Sequence, residues 1–136
     1  MKKVVKFGGS SLASADQFKK VGQIIRADES RRYVVPSAPG KRFSNDTKVT
    51  DLLYACYRAA KEEEGKFQEI LTEIKNRYQE IIDGLGIELS LAEDFKVVEE
   101  NFRSQVGQEY AASRGEYLNG KIMAAYLGFA FVDPAE

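Results

Sequence analysis

The feature that most constrains this chain is its opening: a short strand-forming run stopped by two glycines, then a capped helix, then a second strand-forming run. Val4 to Phe7 is β-branched and aromatic, and Gly8-Gly9 ends it as a buried strand ends in a tight turn. Strand one is read as residues 2 to 7. Ser14-Ala15-Asp16-Gln17 has the spacing of a capping box, and Phe18, Val21, Ile24 and Ile25 recur at helical intervals, which predicts a helix of about three turns. Tyr33-Val34-Val35, closed by Pro36, is a second strand. A β-α-β opening implies a right-handed crossover and two parallel strands, so the fold class is α/β.

Beyond Ser37-Ala38-Pro39-Gly40 the pattern changes. Lys41 to Val49 has no apolar period and reads as an exposed loop with a mobile tip. Helices then dominate, the first from Thr50 to Glu63. A second carries Phe67, Ile70, Leu71, Ile74, Tyr78, Ile81 and Ile82 and runs up to Gly84, where a helix C-terminal glycine is wanted. A third carries Leu91, Phe95, Val98, Phe102 and Val106, opened by a second capping box, Ser90 with Glu93. These two are expected to form an antiparallel helical hairpin, about residues 65 to 108, with Gly86 to Leu89 in its turn. A last helix, about Ser113 to Leu127, leads to a third strand, Phe129-Ala130-Phe131-Val132. With 136 residues, 43% of them hydrophobic, the chain is sized for one domain with a real core.

Composition removes several kinds of chemistry. Lys plus Arg number 20 against 21 Asp plus Glu, a net charge of -1, so no field draws the chain to nucleic acid or to an anionic membrane. There is no His and one Cys, so transition-metal clusters, Ser/His/Asp triads and Cys/His dyads each lack a member, and no metal-binding residue is assigned. Cys56 falls in the apolar pattern Leu52, Leu53, Cys56, Ala59, Ala60 and reads as a core thiol. The N-terminus meets charge and glycine before any run long enough for a signal peptide or membrane span, which points to a cytoplasmic protein.

Strand, then Gly8-Gly9-Ser10-Ser11, then helix is an arrangement that binds phosphate, because glycines let backbone N–H groups approach an anion near a helix start. A glycine pair with Ser is just as often a plain turn. Neither the P-loop ending Gly-Lys-Ser/Thr nor the G-x-G-x-x-G fingerprint is present. Lys6, directly before the glycines, is either a cation for the anion or an edge lysine reaching solvent.

Together, Lys6-Phe7-Gly8-Gly9-Ser10-Ser11 resembles the N-terminal signature of aspartokinases, amino-acid-kinase-fold enzymes that phosphorylate the side-chain carboxylate of aspartate. Val34-Val35-Pro36-Ser37-Ala38-Pro39-Gly40, followed by Val49-Thr50-Asp51-Leu52-Leu53, is similar to the family's Ser-Ala segment and its Thr-Asp-x-Leu continuation. Ser113-Arg114-Gly115-Glu116 is similar to its Ser-x-Gly-Glu segment. The glycine turns of carbamate, uridylate and glutamate kinases are worded differently.

The resemblance implies the front half of an amino-acid-kinase-like fold, a partial parallel sheet wrapped by helices. It gives Lys6 the role of a cation on the transferring phosphate, and Gly8, Gly9 and Ser10 that of a backbone cradle. Ser37, Ala38 and Thr50 are implied to line the pocket for L-aspartate, and Glu116 to pair with its ammonium. A Glu at a helix start also serves as a dipole partner without any substrate. ATP and Mg2+ are the implied cofactors of the full-length parent, with none expected for this stretch alone. The implied product is 4-phospho-aspartate, in lysine, threonine and methionine biosynthesis.

Two departures matter. Lys41 to Val49 is longer than the corresponding loop of many relatives, so Thr50 is aligned across a long insertion. The chain also stops at Glu136, before the family's glycine-rich Ser-Asp segment, its nucleotide-binding half and its regulatory ACT domains. The expectation is an uncovered sheet edge that favours self-association, and no phosphorylation by residues 1 to 136 alone. The alternative reading is a non-catalytic module whose helical hairpin docks on a partner or on a second copy. A kinase half needs Lys6 and Glu116 to face one cleft; a docking module has no such need.

Overall fold

The structure, a computed structural model, describes residues 2–133. Its elements in chain order are β1 (Lys3–Phe7), a short 3-10 turn (Gly9–Leu12), α1 (Ala15–Arg26), β2 (Arg31–Pro36), α2 (Val49–Glu62), α3 (Glu64–Leu85), α4 (Ala92–Arg103) and α5 (Gln108–Leu127). Among the described residues the sheet has two strands, parallel, with Val5 opposite Val34, Lys6 opposite Val35 and Phe7 opposite Pro36. Strand alternation turns Val5, Phe7 and Val34 towards the core. It leaves Val4, Tyr33 and Val35 on an open face at 62%, 52% and 47% exposure, with Lys6 exposed beside them.

The first helix begins as its residues dictate. The Ser14 hydroxyl accepts from the Gln17 amide at 3.4 Å, and Asp16 and Arg26 sit at the ends that the helix dipole favours. Phe18, Val21 and Ile25 form its buried stripe. Phe18, Phe67 and Phe102 are wholly buried, and each such ring contributes about 1.5–3 kcal/mol.

Several boundaries differ from the sequence expectation. Helix α3 passes through Gly84 and ends at Gly86, whose left-handed φ of 66° closes the helix. Gly84 serves another purpose: a Cβ there would stand 2.4 Å from the Cβ of Ala15, so its lack of side chain lets α3 approach α1. Helix α4 takes Leu91 as its cap, one residue beyond Ser90, whose hydroxyl accepts from the Ala92 amide at 3.3 Å. The expected Ser90–Glu93 box is therefore out of register. Helix α5 starts at Gln108, because Gly107 at φ 142° completes the turn out of α4. Ser113 to Glu116 consequently lie inside the helix, and Glu116 is not a first-turn residue.

The third strand expected at 129–132 does not form. The Phe129 amide closes the C-terminal turn of α5 by donating to Ala124 O at 2.9 Å, and the Phe131 ring stacks edge-on against Tyr117 at 5.4 Å. The segment folds back over the helix, so no partner strand meets its backbone.

Helices α3 and α4 run antiparallel. Arg103 near the end of α4 bonds Glu64 at the start of α3 at 2.6 Å and lies over the Phe67 ring, while Tyr78 meets Phe95. Among the helices the most extensive packing is nevertheless between α2 and α3, and α5 and α4 also pack against α2. No helix among the described residues is long and apolar enough to cross a membrane. Loop 41–48 is tied down: Arg42 binds Asp46 at 2.7 Å and Glu80 of α3 at 2.9 Å.

Candidate active site

The carboxyl ends of β1 and β2 lie side by side, the position where parallel α/β sheets open a crevice. The Ser37 amide donates to Phe7 O at 3.1 Å, and the Gly40 amide donates to Gly9 O at 2.8 Å. The two turns that leave the strands are thereby stitched together. A Cβ on Gly40 would stand 2.6 Å from Gly9 C and 2.8 Å from Ser10 N, so only glycine allows that approach.

Two helices complete the walls. The Val49 amide donates to Pro39 O at 3.1 Å, closing the base of the loop and bringing the start of α2, with Thr50, beside Ser37. From the other side α5 comes so close that a Cβ on Gly115 would stand 2.6 Å from Ala38 Cβ. Asn119, one turn after Gly115, is fully buried and donates through Nδ2 to Ser37 O at 2.7 Å. Tyr78, wholly buried, donates to Gly115 O at 2.9 Å, and burial pushes its phenol well above the ordinary value. These contacts hold Glu116 at the cleft.

The cleft has a volume of about 510 Å³. Gly9, Ser10, Ser37, Ala38, Thr50 and Glu116 line it, bringing together six of the eight residues singled out in the sequence. Lys6 and Gly8 are not among the lining residues. Lys6 projects from the open face of β1, away from the strand face that carries Val5 and Phe7. Of the pair Lys6 and Glu116, the cleft holds Glu116.

Sequence reasoning assigned no role to Pro39, Gly40, Lys41 and Lys48, which also line the cleft. It missed two holding residues as well, Arg77 and Asn119. A signal for both exists: Arg77 lies on the helical stripe of Ile74, Tyr78 and Ile81, and Asn119 on that of Leu118 and Ile122, where a polar residue must have a bonded purpose.

Electrostatically the cleft presents one carboxylate (Glu116), two ammonium groups (Lys41, Lys48) and three hydroxyls (Ser10, Ser37, Thr50). The first turn of α2 has no side-chain cap and its start lies at the cleft, where a helix N-terminus favours anions. A small zwitterion with an additional anionic group matches this set. Among the described residues no group of three or more Asp, Glu, Cys or His stands where it could hold a metal ion.

The sequence model of the Amino acid kinase family matches residues 1–135. The chain belongs to the amino acid kinase family. Within that family its similarity is to aspartokinases, as the wording of its motifs anticipated. Aspartokinase 3 of Bacillus subtilis is 42% identical over 136 aligned residues, covering 93% of this chain. The aspartokinase of Chlamydia trachomatis is 33% identical over 129, covering 90%. The chain spans 29% and 27% of the length of these two relatives. In structure it matches the aspartate kinase of Clostridium acetobutylicum with a TM-score of 0.88 at 48% identity, over 95% of this chain and 29% of that one. Aspartokinase III of E. coli, solved with aspartate and ADP, matches at a TM-score of 0.69 and 26% identity, over 94% of this chain and 29% of that one.

Proposed function

We propose that this chain forms the amino-acid-binding half of an ATP-dependent aspartate kinase. The observation that carries the reading is the convergence of Glu116, Thr50, Ser37 and two lysines on one cleft at the carboxyl ends of the parallel strands. Glu116 pairs with the ammonium of L-aspartate, Ser37 and Thr50 donate to its carboxylates, and the lysines balance its net negative charge. Apart from its chain neighbours no atom lies within 4 Å of the place a Gly8 Cβ would take, which leaves room for an anion beside its backbone. ATP with its magnesium supplies the activated phosphoryl group when bound. A side-chain oxygen of aspartate attacks the terminal phosphorus, the bond to the bridging oxygen of ADP breaks, and 4-phospho-aspartate forms.

Gly8, Gly9 and Ser10 hold the transferring group through backbone donors, and the motif resemblance gives Lys6 the cation's role, for which its exposed side chain has to turn from the open face of β1 towards the cleft. The product belongs to lysine, threonine and methionine biosynthesis, and the setting is cytoplasmic. Residues 1 to 136 alone carry no turnover, since transfer needs the nucleotide held in line with the acceptor. The open face of Val4, Tyr33 and Val35 favours self-association, which sedimentation velocity measures directly.

Calorimetric titration of the chain with L-aspartate, L-glutamate and L-homoserine tests the acceptor reading. Uptake of aspartate in preference to the other two is expected. Equal or absent uptake of all three would sink it.

A further inference from the structure

Arg77 is 3% exposed on the apolar face of α3. A guanidinium is costly to place there, and its Nε has no partner among the described residues. A leucine at this register would pack without that cost. What the guanidinium does instead is bind two carbonyls at opposite ends of one loop. Nη2 donates to Gly40 O at 2.7 Å, and Nη1 donates to Thr47 O at 2.8 Å.

Both carbonyls adjoin the cleft. Gly40 is part of its wall and Lys41 follows, while Lys48 comes directly after Thr47 and Thr50 two positions later. The loop is secured further by Asp46, 3.6 Å from Arg77 Nη1 and gripped by Arg42, which in turn reaches Glu80 of α3. The rigid fork of Arg77 thus sets the separation of the loop ends, and with it the spacing of Lys41, Lys48 and Thr50.

We propose that Arg77 is a positioning residue of the acceptor site, acting through the Gly40 and Thr47 carbonyls to hold the cationic rim at the spacing a dicarboxylic amino acid requires. It rests on the acceptor reading above. Lysine at this position keeps the charge but has a single ammonium, which cannot span both carbonyls as a planar fork does.

The test compares the wild-type chain with Arg77→Lys and Arg77→Met, each first checked for folding by circular dichroism. Amide hydrogen exchange is read over 40–48, and L-aspartate binding by calorimetry. In Arg77→Lys, exchange in the loop should rise about tenfold while α1 and α5 stay protected, and aspartate affinity should fall about tenfold. Arg77→Met should show larger changes in both; if it does not fold, Arg77→Lys decides alone. A folded Arg77→Lys with unaltered loop exchange, or with loosened loop and unaltered aspartate affinity, overturns the proposal. A wild-type chain that takes up no aspartate overturns the acceptor reading beneath it, a distinct failure because it appears before any substitution is made.

Discussion

The Gly40 amide donates to the Gly9 carbonyl at 2.8 Å, and the two residues approach until a Cβ on Gly40 would stand 2.6 Å from the Gly9 carbonyl carbon. One hydrogen bond thereby joins the turn after β1 to the turn after β2 and forms the floor of the cleft. The neighbour that a methyl group would meet is backbone, which cannot swing aside.

Gly40→Ala should therefore push the two turns apart. The expected cost is about 1–3 kcal/mol of folding stability, with a clear loss of aspartate binding. Urea unfolding followed by calorimetry checks both; a variant as stable and as tight-binding as the wild type would mean that the floor yields more readily than the geometry allows.

Glu116→Gln keeps the shape of the side chain and removes its charge. Its contact to an ammonium is made in ground and transition states alike, so the loss should fall on binding, with aspartate affinity down roughly 10- to 100-fold. Thermal unfolding should hardly move, because Glu116 is exposed at the cleft. Unchanged affinity would remove Glu116 from the acceptor site.

Lys6→Ala is best read in a chimera, with this chain in place of the matching stretch of Bacillus subtilis aspartokinase 3. A cation that meets mainly the transferring phosphate acts in the transition state. Turnover should drop by roughly 10² to 10³ with little change in the aspartate constant. Near-normal turnover would return Lys6 to the role of a solvent-facing strand residue.

Asp46 gives the loop a pH dependence. Its hydrogen bond from Arg42 holds its carboxyl well below the usual value of 3.8. The unfolded chain takes up the proton first on acidification, so this contribution is complete above about 3.8 and is lost as pH falls through the lower folded value. Asp46→Asn should cost about 1 kcal/mol at pH 7, and the gap to wild type should narrow steadily as pH falls from about 4 towards 2. Urea melts across that range would refute it if the gap stayed constant.

Cys56 is fully buried and burial pushes its thiol up to about 12. At pH 8 only about one part in 10⁴ would be thiolate, so native protein should resist iodoacetamide and label only as it unfolds. Labelling at the rate of a free thiol, without denaturant, would contradict the buried position.

Much of the frame is local and was legible. Val4 to Phe7 before two glycines makes a strand, Ser14 before an apolar stripe makes a helix, and both arise within a few residues of chain. The motif residues Gly9, Ser10, Ser37, Ala38, Thr50 and Glu116 could be named for the same reason: their wording is contiguous. Where an element ends was harder, since Gly84 and Gly86 offer the same local signal, and the choice fell to the packing of Ala15 against Gly84.

Tertiary structure alone decided the rest. Phe131 stacks on Tyr117 and so never joins the sheet, although its residues have strand character. Lys6 falls on the open face of β1 because strand alternation assigns the core side to Val5 and Phe7. Arg77 and Asn119 matter through carbonyls 37 and 82 positions away in the chain. The sequence by itself determined which residues could form strands, helices and a phosphate-like turn, because those preferences are short-range. Which of them share a cleft was set by backbone contacts between distant segments, Gly9 on Gly40 and Gly115 on Ala38, and such contacts exist only once the core has closed.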